Sequence, residues 1–540
     1  MGLLQAGAGL PRGTGEHRSH PGGLVLTSGR GRAWRAGEPR RQTRWGPAAA
    51  YAVPDASGPA QPGVPVRLLL VPLALATVGV LLLRPAPEGV YPARTVWMLA
   101  LSASSALLVL NGPAWLLAPP LLMELATDDY FVPGLGVSGR LAAVVGASLL
   151  LLPRLIRREL RWGEPVYRVL VPALAFLVMA TLGNVIHSDD EYVLKYLRYQ
   201  TAQVLVLVLA AVAPRGRHDL LAVSGLLVGL ATLASAGART WVDETGRATG
   251  FGTSPVLLAN QLSFVLLPLV GVLAAGAFAR TRLRWLLLLA AVLIAYGTYA
   301  SQTRSALLAI AAGLIAIGLC LPGRPRMVIL GLVCASGVVF VGLQSIGLVE
   351  ARYFDDTNAE AAQSAAAHNA VEQAGFAIAL DNPLFGIGHE QFEQVAPDYA
   401  DALSPDARAG ESALGIDRPH DDFLSVWLSW GIGALGTYVW IFGAALINCL
   451  AAARSRDRLI RGIAIGSVGG LVAYAVGSTF HNYLDSSLVL WVYAGLSAAL
   501  VRIAGQPVCV PVDTTRQTAR EVAVLLIRQR ALRRLRLTGQ

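Results

Sequence analysis

In the stretch RPHDDFLSVWLSWGIGALG, residues 418–436, His420, Asp421 and Asp422 stand directly in front of a long apolar run notched by glycines. An imidazole ionises near pH 6.5, so a small environmental shift makes it a base at neutral pH, and a neighbouring carboxylate can orient the ring and stabilise its cation. The plainer role for such a histidine is a helix cap or a solvated side chain. Two arginines offer the complementary charge. Arg247 lies in GRATGFGTSPVLLAN, a glycine-rich loop leading into an apolar run. Such a loop can cradle an anion through backbone N–H groups and fixed positive charge, although an arginine at a membrane edge can also simply snorkel. Arg304, in SQTRSALLAIAAGL, sits at a tight turn between two apolar runs.

His187, His368, His389 and His481 are expected on the same side as His420, and His481 in FHNYLDSS (480–487) is its nearest rival, because it too precedes an apolar run. His17, His20 and His218 are expected on the opposite side. No two histidines on the His420 side have H-x-x-x-H spacing, so neither a metal site nor a cofactor is expected. Cys320, Cys334, Cys449 and Cys509 have no C-x-x-C spacing, so neither a disulfide framework nor a zinc site is indicated.

The elements that must position these groups are membrane helices. Of the 540 residues 54% are hydrophobic and only 14% charged, against a charged share of about a quarter in soluble globules. Runs at 66–83, 168–186, 196–213, 255–278, 283–300, 304–321, 326–347, 422–452, 459–479 and 486–504 approach or exceed the roughly 20 apolar residues that cross a bilayer as a helix. The period-2 alternation of a membrane barrel is missing. The expected fold is therefore all-α, a polytopic transmembrane bundle of about 12–14 spans with one long extracytoplasmic loop.

Arginine placement orients it. Arg154, Arg157, Arg158 and Arg161 share one loop, and Arg215 and Arg217 a second; Arg280, Arg282 and Arg284 share a third, Arg324 and Arg326 a fourth, and Arg454, Arg456, Arg458 and Arg461 a fifth. By the positive-inside rule all five are cytoplasmic, and they fall on alternate loops as a consistent topology requires. HSDDEY (187–192), the 238–254 loop, the turn before Arg304 and the segment 348–421 then face outward. Between 348 and 419 thirteen Asp or Glu face three Arg, in keeping with an exterior position. The net charge of +10 resides in short inner loops and tails, where it orients a membrane protein, so nucleic acid is not an expected partner.

The chain divides into a disordered basic cytoplasmic tail (1–62), an N-terminal transmembrane bundle (63–347), the extracytoplasmic loop (348–421), C-terminal transmembrane helices (422–505) and a basic cytoplasmic tail (506–540). Within the last, 516–537 combines basic residues with an apolar stripe and reads either as a helix on the anionic inner leaflet or as a solvated tail. The stretch 97–126 reads as one broken span or as two short ones around Asn111-Gly112-Pro113. No repeat of the kind that builds transporters from two halves is evident.

With these clusters placed, the chain resembles the O-antigen ligase and O-antigen polymerase family of bacterial membrane glycosyltransferases, over roughly residues 165–500. GFGTSPVLLAN is similar to that family's G-x-F-G-N-P-N-x-x-A element, QTRSALLAI to its S-R-S-A-x-x-A element, and NPLFGIGHEQF to its P-x-F-G-x-G element. The opening stretch is similar to its H-N-x-F-L followed by a G-x-x-G helix. Asp421 stands where the family usually has Asn, and Thr253-Ser254-Pro255 replaces N-P-N. The resemblance implies a multi-pass enzyme of the bacterial cytoplasmic (inner) membrane with its active site facing outward, embedded among membrane lipids. It would transfer a glycan from a polyprenyl-diphosphate-linked donor to a glycan, glycolipid or protein acceptor, without a metal or cofactor. In that chemistry His420, with Asp421 and Asp422, is the expected catalytic group, and Arg247 and Arg304 are expected to bind the diphosphate. A transporter or flippase of lipid-linked oligosaccharide is the alternative.

Overall fold

The structure, a computed structural model, describes residues 113–506 except 119, 122, 123, 125–130, 133–136, 157–159, 161, 188, 189, 240, 241, 243–245, 250–253, 346–358, 417 and 485. The expected tails 1–62 and 516–537, the run 66–83 and most of 97–126 lie outside the described residues.

Helices dominate. They are α1 (Gly139–Ile156), α2 (Glu164–His187), α3 (Asp190–Val212), α4 (Arg217–Ala236), α5 (Pro255–Ala274), α6 (Leu283–Ala300), α7 (Arg304–Cys320), α8 (Arg324–Ser345), α9 (Ala359–Asp381), the single turns α10 (Phe392–Val395) and α11 (Pro405–Arg408), then α12 (Asp422–Ala452), α13 (Arg458–Gly477) and α14 (Val489–Ala504). The β-structure among the described residues is a two-residue antiparallel pair, Phe131–Val132 with Val137–Ser138, and one isolated bridge, Val242 with Ala248. Six helices (α2, α4, α5, α6, α12 and α13) are long and apolar enough to cross a membrane. The chain is a polytopic helical membrane protein. Helix α4 was not among the apolar runs read from the sequence, yet the alternation of arginine-rich and arginine-poor loops demands a crossing between 217 and 238.

Polar residues at the ends fix where helices start. Ser254 accepts the Leu257 N–H through its hydroxyl with Pro255 at the first helical position of α5, and the Asp457 carboxylate accepts the N–H groups of Leu459 and Ile460 at the start of α13. At the arginine-rich end, Arg217 pairs with Asp457 at 3.5 Å and Arg502 donates to the carbonyls of Ala211 and Pro214. Apolar matching to lipid gives helices no preference for one another, so close packing must supply it. Glycines do so here. Gly462 and Gly466 of α13 meet Gly271 and Pro268 of α5, and Gly469 meets Gly313 of α7, at separations that leave no room for a Cβ.

The C-terminal part of the 348–421 segment folds as a helical cap. Ala370, Val371, Ala374 and Ile378 of α9, with Phe392, Leu403 and Leu414, bury one another against Leu424 and Leu428 of α12. The connection after α9 does more than rest on α12. Helix α12 is broken at Gly431, with φ 84° and ψ 176°, and the break leaves backbone groups without intrahelical partners. Residues 382–388 take them up: Ile387 N donates to Leu428 O at 2.8 Å, Gly388 N to Ser429 O at 3.0 Å, and Ile432 N to Pro383 O at 2.8 Å. This is the structural work of the NPLFGIG element. A Cβ on Gly431 would overlap the Leu384 carbonyl, and its φ disfavours any L side chain. Gly431→Ala is therefore expected to destabilise by about 3 kcal/mol or more, from strain plus overpacking. Size-exclusion chromatography of a fluorescent fusion checks this. A monodisperse yield equal to wild type would contradict it.

Candidate functional site

Three short segments converge at one end of the bundle. The first runs from Gly246, at φ 77°, to α5. Ala248 N donates to Ala300 O at 3.0 Å, and the half-buried Arg247 donates from Nε to Ser301 O at 3.0 Å and from a terminal nitrogen to Thr303 Oγ1 at 3.3 Å. One guanidinium thus clamps the turn that launches α7, whose first residue is the exposed Arg304. Thr303 Oγ1 in turn lies 3.4 Å from Pro255 O. Arg247 is thus fastened to residues 301 and 303, directly ahead of Arg304, which lies 57 positions further along the chain.

The second segment enters α12. Pro419 O accepts from Ser425 Oγ at 3.0 Å and from the Asn482 side-chain amide, and Asp422 N donates to Ser478 O at 2.8 Å. The third is the turn between α13 and α14, held from the other side by Leu484 N donating to Asp422 Oδ1 at 3.0 Å. The Tyr483 hydroxyl faces Ser305, one residue past Arg304. These ties bring Arg247, Arg304, His420 and His481 to one end of the molecule.

The side chains expected to act have distinct surroundings. His420 is exposed, and its ring lies 5.0 Å from that of His368 on α9. Asp421 caps α12, its Oδ1 accepting the Leu424 N–H at 2.9 Å. Burial raises its pKa, the N–H groups of Leu424 and Phe423 work against that, and Glu372 adds to the rise. Asp422 is 1% exposed, with Oδ1 on Leu484 N and Oδ2 3.5 Å from the Tyr438 hydroxyl. These contacts suit Asp422 to holding the α13–α14 turn against α12.

His368 was read only as one of several histidines on the His420 side. Its place here depends on α9 folding back over α12, which no local spacing announces. Burial lowers its pKa, and Glu372, one turn further along α9, opposes this. His481 is depressed further, to about 4, first by burial and then by the positive fields of His420, His368 and Arg247. His389, in contrast, lies apart, buried between the Tyr196 and Trp430 rings with Nε2 3.5 Å from Arg418. His187 is exposed at the end of α2. Glu124, 2% exposed, is a buried acid that sequence reading passed over; it accepts from Ser487 Oγ at 2.7 Å. Among the described residues no three His, Cys, Asp or Glu side chains group as a metal site would require.

The depressed His481 has a measurable consequence. Its folded pKa of about 4 lies below the unfolded value of about 6.5, so as pH falls the unfolded chain takes up the proton first. Stability is full above about pH 6.5 and is lost progressively towards pH 4, by roughly 2–3 kcal/mol for this residue. Melting temperatures in detergent at pH 7.5 and pH 5 should fall more for the wild type than for His481→Gln. Equal falls would place the acid sensitivity elsewhere.

Residues 289–441 match the family model described as O-antigen ligase. The matched segment runs from α6 into α12 and contains Arg304, His368, the spliced loop, His420 and the break at Gly431; Arg247 and His481 flank it. No match was found among curated proteins. The resemblance carried by QTRSALLAI, NPLFGIGHEQF and the His420 stretch is thereby borne out, and it supports a membrane glycosyltransferase of the O-antigen ligase type.

Proposed function

We propose that the protein transfers a glycan from a polyprenyl-diphosphate carrier to an acceptor hydroxyl, at the outer face of the bacterial cytoplasmic membrane, during surface-polysaccharide assembly. The observation that carries this reading is the convergence of Arg247, Arg304 and His420 at one helix-bundle end within and beside an O-antigen-ligase-like segment. The bond from the anomeric carbon to the diphosphate oxygen breaks, and that oxygen keeps the electron pair. The arginines stabilise the charge that develops there. The acceptor oxygen bonds to the anomeric carbon and gives its proton to His420. The site lies at a helix-bundle end because one substrate is anchored in lipid and the other arrives from water.

A transporter or flippase is not favoured: its charges would sit near the bilayer midplane between repeated halves, whereas here the arginines and His420 gather at helix termini. Product analysis in a strain lacking the protein tests the reading. Loss of long chains identifies a polymerase, and long chains that remain carrier-linked identify a ligase. Unchanged, fully attached polysaccharide would refute both.

Because cationic side chains flank the site and no carboxylate cage does among the described residues, transfer by the purified protein should survive EDTA. Abolition by EDTA with rescue by Mg²⁺ or Mn²⁺ would contradict this.

A further inference from the structure

The connection after α9 is apolar where a water-facing loop would be polar. Phe376, Leu380 and Leu384 recur at intervals of four and are 50, 55 and 68% exposed, with Phe385 beside them at 45%. The part of the helix before Phe376 differs, presenting His368, Glu372 and Gln373 to the exterior. Four exposed large side chains so close in the chain make an apolar surface whose removal from water is favourable.

Depth identifies what covers it. The loop pairs with α12 at Leu428, Ser429 and Ile432. Gly431 lies nine residues beyond Asp422 in a helix of 31 residues, which at about 46 Å outreaches the roughly 30 Å apolar core, so the break falls near the outer boundary of that core. On the other flank the Phe385 carbonyl packs against Gly183 of α2, and α2 is a membrane-length helix whose Val178, Leu182 and Val185 are exposed. The ridge thus adjoins the exposed apolar side chains of a membrane-length helix. Non-helical backbone is tolerated at that depth only when its polar groups are satisfied within the protein. Several of them are: besides the bonds to α12, Asn382 N donates to Ile378 O at 3.0 Å, Gly386 N to Asn382 O at 3.1 Å and the Asn382 side chain to Ile378 O at 3.1 Å.

We propose that α9 from Phe376 onward and residues 382–388 form a re-entrant arm, whose ridge of Phe376, Leu380, Leu384 and Phe385 lies among the acyl chains of the leaflet at the His420 end, while the Asp381 carboxylate accepts from the Tyr399 hydroxyl at 2.8 Å. The arm enters beside α2, is spliced into broken α12, and returns through residues 389–421 to His420. The proposal does not depend on the reaction catalysed.

Spin labels at Phe376→Cys, Leu380→Cys, Leu384→Cys and, as a water-facing control, Glu411→Cys test it in the full-length chain with its four native cysteines replaced by alanine, reconstituted in phosphatidylcholine bilayers. Collision rates with oxygen, which concentrates in acyl chains, and with a water-soluble nickel chelate are compared at each site. Oxygen should dominate at 380 and 384 and nickel at 411. Nickel access at 384 equal to that at 411 would overturn the arm by placing it in water. Low rates for both reagents at 380 and 384 would also overturn it, by showing a protein surface such as a second copy over the ridge. The probes at 376 and 380 keep the test decisive should Leu384→Cys fail to fold.

Discussion

His420→Ala is expected to lower turnover about 10²–10⁴-fold, the usual worth of a positioned general base, with donor binding preserved. The exposed ring stands on a segment that cannot drift, because Pro419 on one side and Asp422 on the other are tied to the α13–α14 turn. His481→Ala is the control. His481 shares the electrostatic neighbourhood but is held neutral, with a pKa of about 4, and should retain most activity. Product formation and accumulated lipid-linked donor should be measured in both variants. A dead His481→Ala beside an active His420→Ala would transfer the base role to the turn.

Arg304→Ala is expected to cost about 10²–10³-fold in turnover, the scale of losing one group that stabilises a developing oxyanion. Arg304→Lys should also impair transfer, because a planar fork can hold two phosphate oxygens where an ammonium acts as a point charge. Arg247→Ala should fail for two separable reasons. It removes a cation, and it releases Ser301 and Thr303, which set where α7 begins. A drop in melting temperature should therefore accompany Arg247→Ala and not Arg304→Ala, whose exposed side chain supports no such turn. Normal transfer rates in both alanine variants would return these arginines to an interfacial anchoring role.

The bundle was legible because its signals are local. Apolar runs of bilayer length and arginines on alternate loops need no knowledge of packing, and they even required α4, whose apolar run was not singled out. The candidate residues were legible as types: Arg247, Arg304 and His420 sit at helix starts beside polar loops, where charge is tolerated. What stayed hidden depends on contacts between distant segments. The glycine at 431 reads in sequence as one more small residue in a G-x-x-G helix; that it breaks the helix depends on residues 382–388, some 45 positions earlier, supplying the missing hydrogen-bond partners. His368 lies opposite His420 only because α9 folds back. Two adjacent carboxylates beside a histidine suggested ring orientation, and the structure adds that Asp421 caps a helix and Asp422 turns inward to hold Leu484. Burial separated their roles, and adjacency in the chain does not reveal burial.

The central claim is that a glycan leaves a polyprenyl diphosphate at the Arg247, Arg304 and His420 site. Its most direct test uses the purified protein in lipid nanodiscs, supplied with a polyprenyl-diphosphate-linked oligosaccharide and an acceptor, with released polyprenyl diphosphate and new glycosidic bonds quantified together. The account predicts one polyprenyl diphosphate released per bond formed, with both lost in His420→Ala. Bond formation that continues undiminished in His420→Ala, or no bond formation by the wild type with any lipid-linked donor, would contradict it.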